Sequence, residues 1–220
     1  MNEADLRQQL LETARALNAS GINQGTSGNV SARIDGGLLI TPTSLPYEQM
    51  APEDLVALDL TGQPLGSVPA GQGQARRPSS EWRLHADILR SRPGAQAVVH
   101  CHSTSATALA CHGRGIPAFH YMVAIAGGSS VRCAPYALFG TQAFSDGALE
   151  ALANRQAALL AHHGQVSVAG SLAQALRLAI EVETLARMYL QAMALGEPPL
   201  LSPEQMAAVQ QQFSMLLYAS

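Results

Sequence analysis

The sequence predicts one α/β layered domain over residues 1–220, built on a largely antiparallel sheet. Three observations carry this. Short apolar strands mix with amphipathic helices, but not in strict βαβ order. Two strand patterns flank the tight Asp35-Gly36-Gly37 turn and read as a hairpin. No repeat, low-complexity tract or long linker divides the chain, and 220 residues suit a single substantial core.

In order, Leu6, Leu10, Leu11, Ala14 and Leu17 recur at helical spacing, so 3–20 reads as an amphipathic helix that Gly21 stops. Asn23-Gln24-Gly25-Thr26-Ser27-Gly28-Asn29 is a polar, glycine-rich loop. The hairpin strands are 30–34 and 38–41, and 56–60 is a further short strand. Residues 62–79 hold much of the glycine and proline and read as an exposed loop. Ser80 is the expected cap of a helix over 81–91. A strand follows at 97–102, then a helix over 103–112. Residues 131–134 are a short strand and 145–154 a helix. The apolar run 157–163 and the segment 165–169 are strands, and Ser171 caps a long helix ending near Ala194 before Gly196 and Pro198-Pro199. Ser202-Pro203-Glu204-Gln205 has capping-box spacing and opens a final helix.

Composition excludes several functions. The net charge of −3 and the lack of basic clusters argue against nucleic acid. No apolar run approaches the roughly 18 residues that span a bilayer, so no membrane partner is expected. The N-terminus lacks the basic and apolar regions of a signal peptide, and the three cysteines are odd in number without C-x-x-C spacing. A cytoplasmic protein with free thiols is the expectation. The chain contains no lysine; all thirteen basic residues are arginine. A lysine Schiff base is therefore impossible, and so is a Walker-type phosphate loop. Carbanion chemistry here needs a metal or an added cofactor as its electron sink.

The candidate chemistry begins at His100-Cys101-His102, where an apolar run ends. Strand residues i and i+2 share a face, so both imidazoles can reach one point while Cys101 faces away. Two convergent imidazoles make half of a divalent-metal site. A second apolar run ends in His162-His163, and either residue can supply a third imidazole; three histidines with an open position is a catalytic zinc arrangement. Glu81, at a helix start, is the carboxylate candidate, and His85 one turn later reads as surface or supporting. His112 and His120 sit in loops without motif partners. Thr26, Ser27, Gly28 and Asn29 can offer N–H groups and polar side chains to an anion, and Thr43, Ser44, Ser79 and Ser80 add hydroxyls.

Taken together, these segments resemble the class II aldolase/adducin family. The matching stretches are Gly21 to Ser31, Leu39-Ile40-Thr41-Pro42-Thr43, Pro46-Tyr47-Glu48, Pro78-Ser79-Ser80-Glu81-Trp82-Arg83 and Val98-Val99-His100-Cys101-His102. They continue through Ile116 to Met122, Cys133 to Thr141 and His162-His163-Gly164, in family order along nearly the whole chain. The resemblance implies an α/β/α sandwich around a mostly antiparallel sheet, assembled as a homotetramer with its site at the subunit interface. It implies one zinc ion (Zn2+) per subunit on His100, His102 and His163, with Glu81 as acid/base carboxylate that also approaches the metal. Thr26, Ser27, Gly28, Asn29, Thr43, Ser44, Ser79 and Ser80 match the phosphate cradle. Tyr121 matches a proton donor acting across the interface, and Phe139, Phe213 and Tyr218 are candidates for the aldehyde pocket. Ser27 and Ser44 depart from the alanine and glycine of the fuculose-phosphate pattern.

The implied reaction is reversible cleavage of a phosphorylated sugar, a ketose 1-phosphate such as L-fuculose 1-phosphate or a related 5-deoxy sugar phosphate. The products are dihydroxyacetone phosphate and an aldehyde such as lactaldehyde. Alternatives in the family are a 5-deoxyribulose- or methylthioribulose-1-phosphate aldolase, a dehydratase, a decarboxylase and a sugar-phosphate 4-epimerase. The epimerase pattern uses a lysine near the phosphate, which this chain lacks. A non-catalytic adducin-like interaction module is the remaining alternative.

Overall fold

Alternating side-chain direction along a central strand organises this protein. A computed structural model describes residues 2–66 and 76–218, with only the helix backbone for 216–218. The strands are β1 (Asn29–Ile34), β2 (Gly37–Ile40), β3 (Val56–Asp59), β4 (Ala97–Cys101), β5 (Arg132–Ala134), β6 (Ala157–Leu160) and β7 (Gly164–Ala169). They form one seven-stranded sheet in the order β3-β2-β1-β4-β7-β6-β5. Every pairing is antiparallel except β5 with β6.

Helices α1 (Glu3–Ala19), α2 (Trp82–Ser91), α3 (Thr104–Cys111), α4 (Gln142–Ala151), α5 (Leu172–Met193) and α6 (Pro203–Tyr218) cover both faces. Val98 of β4 and Ala158 and Leu160 of β6 pack under α2 and α4, with Leu84, Ile88, Phe144 and Ala148. Val99 and Cys101 point the other way, into a cluster with Leu10 and Leu17 of α1 and Ala175 and Ala179 of α5. Ala157 and Leu159 meet α3, α5 and Met206 of α6 on that same side. The period-two alternation of β4 thus separates two cores and makes the expected α/β/α sandwich.

Several boundaries differ from the sequence reading, each for a local reason. Ser80 does not cap α2; Glu81 holds the cap position and its side chain makes no capping bond. α4 begins at Gln142 rather than near 145, because Thr141 Oγ1 accepts the Phe144 N–H at 3.3 Å. The run 157–163 is strand only through Leu160, since His162 takes φ +55° and reverses the chain into β7. A 3-10 helix, Tyr121–Ala126, stands where no element was expected. The capping box at Ser202 forms as expected, with Gln205 N–H donating to Ser202 Oγ and Ser202 N–H to Gln205 Oε1. Of the expected loop 62–79, residues 67–75 lie outside the described residues.

Gly62 shows how tightly the turn after β3 meets α2. It holds φ +91°, and an added Cβ would lie 2.1 Å from the Trp82 ring. Both the left-handed backbone and the contact forbid a side chain there. Gly62→Ala is expected to lower the free energy of unfolding by about 1–3 kcal/mol, read as a drop in the urea midpoint at unchanged m-value.

Candidate metal centre

Three imidazoles and one carboxylate converge where β4 ends and β7 begins. His100 is the penultimate residue of β4, and His102 follows two residues on, on the same side. His163 follows the left-handed turn at His162, which leaves His162 itself exposed. The Nε2 atoms form a nearly equilateral triangle: His100 to His102 is 3.1 Å, His102 to His163 3.2 Å, and His163 to His100 3.1 Å. Nitrogens bound tetrahedrally to zinc at about 2.0–2.1 Å stand about 3.3–3.4 Å apart, so the triangle fits a metal-facing cap. Glu81 Oε2 lies 3.2 Å from His100 Nε2 and Oε1 2.9 Å from His163 Nε2. All four groups offer atoms within 4.8 Å of one another and could hold a metal ion.

Donor chemistry supports the fit. His100 Nδ1 lies 2.8 Å from the Gln165 carbonyl, which can only accept, so Nδ1 carries the proton and Nε2 presents a lone pair to the centre. Glu81 Oε1 is fully buried and accepts no hydrogen bond in spite of its closeness to His163. Acceptors gathered in this way call for a positive centre.

The charges respond to one another. Burial alone would raise the Glu81 carboxyl, but His100 and then His163 hold it well below the carboxylate range. Burial would lower His100, and the Glu81 charge raises it instead. Burial, followed by His100 and His163, drops His102 to about 4, which keeps it neutral and able to ligate. Cys101 is buried on the opposite side of β4, and burial pushes its thiol up to about 12, so it is inert.

Close backbone packing holds the triangle. A Cβ at Gly164 would lie 2.5 Å from the Cys101 carbonyl and 3.1 Å from the His102 ring. A Cβ at Gly28 would lie 2.7 Å from both the His100 carbonyl and Asn23 Oδ1. Asn23 Oδ1 in turn accepts the His102 N–H at 3.4 Å. Tyr47, fully buried, donates its hydroxyl to the Gly28 carbonyl at 2.5 Å and pins the glycine-rich loop.

The phosphate candidates gather around this centre. Thr41 and Ser79, and Thr43 and Arg77, exchange backbone bonds that bring residues 41–44 beside 77–80. Thr43 Oγ1 and Ser44 Oγ are 3.4 Å apart and exposed, as are Thr26, Ser27 and Ser80. Ser79 is buried and its Oγ accepts the Glu81 N–H at 3.3 Å. Asn29 is buried, and its amide donates to Glu81 Oε2 at 2.8 Å. Ser44 holds φ +58°, a conformation that favours glycine. Arg76 pairs with Asp54 at 2.8 Å rather than reaching the hydroxyls.

The aromatic candidates divide. The Phe139 ring lies 6.4 Å from that of His163, with Phe144 beneath at 5.0 Å. The next residue, Gly140, would bring a Cβ within 2.9 Å of the Ser80 carbonyl, so this loop spans from the hydroxyls to the histidines. Tyr121 and Phe213 instead meet each other at 6.4 Å, on the α5 and α6 side of the sheet. The Tyr121 ring is half-exposed and has no ring contact with the three histidines among the described residues. The side chain of Tyr218 lies outside the described residues.

Sequence reasoning missed the supports Tyr47, Asn23 and Gln165, and left His85 open between surface and support. His85 is fully buried. A signal existed, since Glu81, Leu84, His85, Ile88 and Leu89 fall on one helical stripe. His112 and His120 stay apart from the centre, at the end of α3 and the start of the 3-10 helix.

A seven-stranded sheet carrying a Glu/His3 group that could hold a metal ion is the frame of this site. The chain belongs to the family described as Class II Aldolase and Adducin N-terminal domain, which matches residues 8–190. It is 46% identical over 208 residues to the 5-methylthioribulose-1-phosphate/5-deoxyribulose-1-phosphate aldolase of Rhodospirillum rubrum, covering 94% of this chain and 90% of that protein. It is 45% identical over 214 residues to the L-fuculose phosphate aldolase of Escherichia coli strain K12, covering 97% and 96%. A solved structure of L-fuculose 1-phosphate aldolase superposes with a TM-score of 0.90 at 34% identity, over 97% of this chain and 98% of that one. Among the described residues no helix is long and apolar enough to cross a membrane.

Gly164 touches the triangle only through packing. Gly164→Ala is expected to weaken divalent-metal binding by about tenfold or more, measured by zinc competition with a chromophoric chelator.

Proposed function

We propose that this chain is a zinc-dependent class II aldolase that reversibly cleaves a ketose 1-phosphate to dihydroxyacetone phosphate and a short aldehyde. The observation that carries this reading is the triangle of His100, His102 and His163 with Glu81 against it, set beside hydroxyl-rich loops. The whole chain acts as one domain in a cytoplasmic homotetramer.

Bound at the three Nε2 atoms, zinc would supply Lewis-acid stabilisation of the negative charge that develops on the three-carbon fragment. The residues do the rest. Hydroxyls of Thr26, Ser27, Thr43, Ser44, Ser79 and Ser80, with backbone N–H groups at Gly28 and Asn29, hold the phosphate without any lysine. In the cleavage direction the C4 hydroxyl gives up its proton, the C3–C4 bond breaks and its electron pair stays with the three-carbon fragment. The C4 oxygen becomes the aldehyde carbonyl. Glu81 then passes a proton taken from solvent to C3, and in the reverse direction removes it.

Proton transfer at the C4 oxygen falls to Tyr121 of a neighbouring subunit. Its exposure, together with its position on the far side of the sheet from the histidines, favours action between chains. Phe139 flanks the aldehyde beside His163, and Phe213 and Tyr218 complete the pocket with Tyr121.

The near-equal identity to two differently named aldolases favours two substrates that share the phosphate and ketose half. One is L-fuculose 1-phosphate, releasing lactaldehyde; the other is a 5-deoxy- or 5-methylthio-ribulose 1-phosphate.

Glu81→Gln should retain zinc and lose solvent hydrogen exchange into dihydroxyacetone phosphate by about 100-fold or more; exchange at the wild-type rate removes Glu81 from this role. Condensation of dihydroxyacetone phosphate by the zinc-loaded protein, against lactaldehyde, acetaldehyde, glycolaldehyde and methylthioacetaldehyde, should yield product with at least one. Removing zinc with a chelator should abolish it and readdition restore it. Failure with every aldehyde overturns the aldolase reading.

A further inference from the structure

His85 is a buried histidine that the proposed chemistry does not use. It is fully inaccessible, on the stripe of α2 that faces the sheet. Its ring nitrogens each meet one polar atom: Nδ1 lies 2.7 Å from Ser31 Oγ and Nε2 2.5 Å from Asn29 Oδ1. Both partners come from β1, more than fifty residues away in the chain.

These contacts leave no freedom of direction. An amide oxygen only accepts, so Nε2 carries the proton and donates to Asn29. A neutral imidazole then has a lone pair on Nδ1, which accepts from the Ser31 hydroxyl. The neutral form suits a site where burial drops His85 to about 3.

With its Oδ1 engaged by His85, the Asn29 amide must turn its Nδ2 toward Glu81, and it donates to Oε2 at 2.8 Å. A flipped amide would set its oxygen against the carboxylate and leave His85 donating toward an N–H. Glu81 is thereby held by Oε2, and Oε1 is left without a hydrogen bond, facing the histidines.

We infer that His85 is a positioning residue that acts through Asn29, fixing the amide so that Glu81 is held by one oxygen and offers the other to the metal group and the substrate carbon. Ser31 fills the remaining Nδ1 lone pair. This rests on the aldolase reading only for what Glu81 does once it is aimed.

The test compares His85→Leu, which keeps the volume and loses the donor, with His85→Gln, whose amide N–H stands where Nε2 stands. For each, zinc affinity is measured by chelator competition, and solvent hydrogen exchange into dihydroxyacetone phosphate gives a rate and a KM. His85→Leu should bind zinc about tenfold more weakly and exchange about 10- to 100-fold more slowly, with KM within about threefold of wild type, since His85 touches none of the loop hydroxyls proposed to hold the phosphate. His85→Gln should recover both zinc affinity and exchange to within about threefold.

Wild-type values in His85→Leu overturn the inference. So does equal loss in both variants, which would mark His85 as packing alone. Should His85→Leu not fold, His85→Asn replaces it, because its shorter amide reaches only toward Ser31. Active Gln with impaired Asn supports the relay, and equal values overturn it. If the wild-type protein exchanges no hydrogen at all, the aldolase reading fails, and the zinc affinities alone still decide the relay.

Discussion

Everything in this structure depends on bringing four electron-pair donors to one point inside the protein. Three imidazole nitrogens about 3 Å apart and a carboxylate beside them are mutually unfavourable unless a cation or protons lie between them. The fold meets that requirement with the stiffest parts it has. β4 is the middle strand of seven, paired on both sides, and its two-residue period sends His100 and His102 together toward α2 and α4. Its register with β7 brings Cys101 opposite Gln165, whose carbonyl fixes the His100 tautomer. The third histidine arrives on the turn that enters β7, and Gly164 lets that turn close onto β4.

The side proposed to hold the phosphate follows a different logic. There the proposed donors are many neutral hydroxyls held in place rather than one mobile lysine charge. The protein holds them with backbone bonds: the 41–44 segment is laced to 77–80, and Tyr47 clamps the loop at Gly28. Arg76 is engaged by Asp54. Ser44 sits in a left-handed conformation at a cost of about 1–2 kcal/mol. That strain is tolerable only where surrounding bonds over-determine the loop.

Most of the fold was legible because periodicity reports burial. The strand alternation at His100 and His102 and the helical spacing of Leu6, Leu10, Leu11, Ala14 and Leu17 map directly onto the two cores. What was not legible depended on partners distant in sequence. The residues alone left His162 and His163 equivalent, and the left-handed backbone at His162 separates them. Ser80 reads as a cap, yet the turn is closed through Ser79, whose Oγ accepts from Glu81 and whose carbonyl accepts from Trp82. His85 stays open between surface and support in the sequence, although it stands on the same stripe as Leu84 and Ile88. Its partners, Asn29 and Ser31, come from a strand it meets only after folding.

That last case explains how centre and rim can differ within one family. Burying a glutamate, an asparagine and a histidine side by side is unfavourable unless each polar atom has a partner. Here each link engages the next: Ser31 donates to His85, His85 to Asn29, and Asn29 to Glu81. Changing any one member alone leaves a buried donor or acceptor unmatched, so such a centre is hard to alter stepwise. The groups flanking it are under no such constraint. Tyr136, Leu138 and Phe139 are exposed, and the Phe139 ring stands 6.4 Å from that of His163. Substitution there is cheap in stability. On the proposed reading, that rim is where relatives close to half identical to this chain, and named for different phosphorylated sugars, would differ.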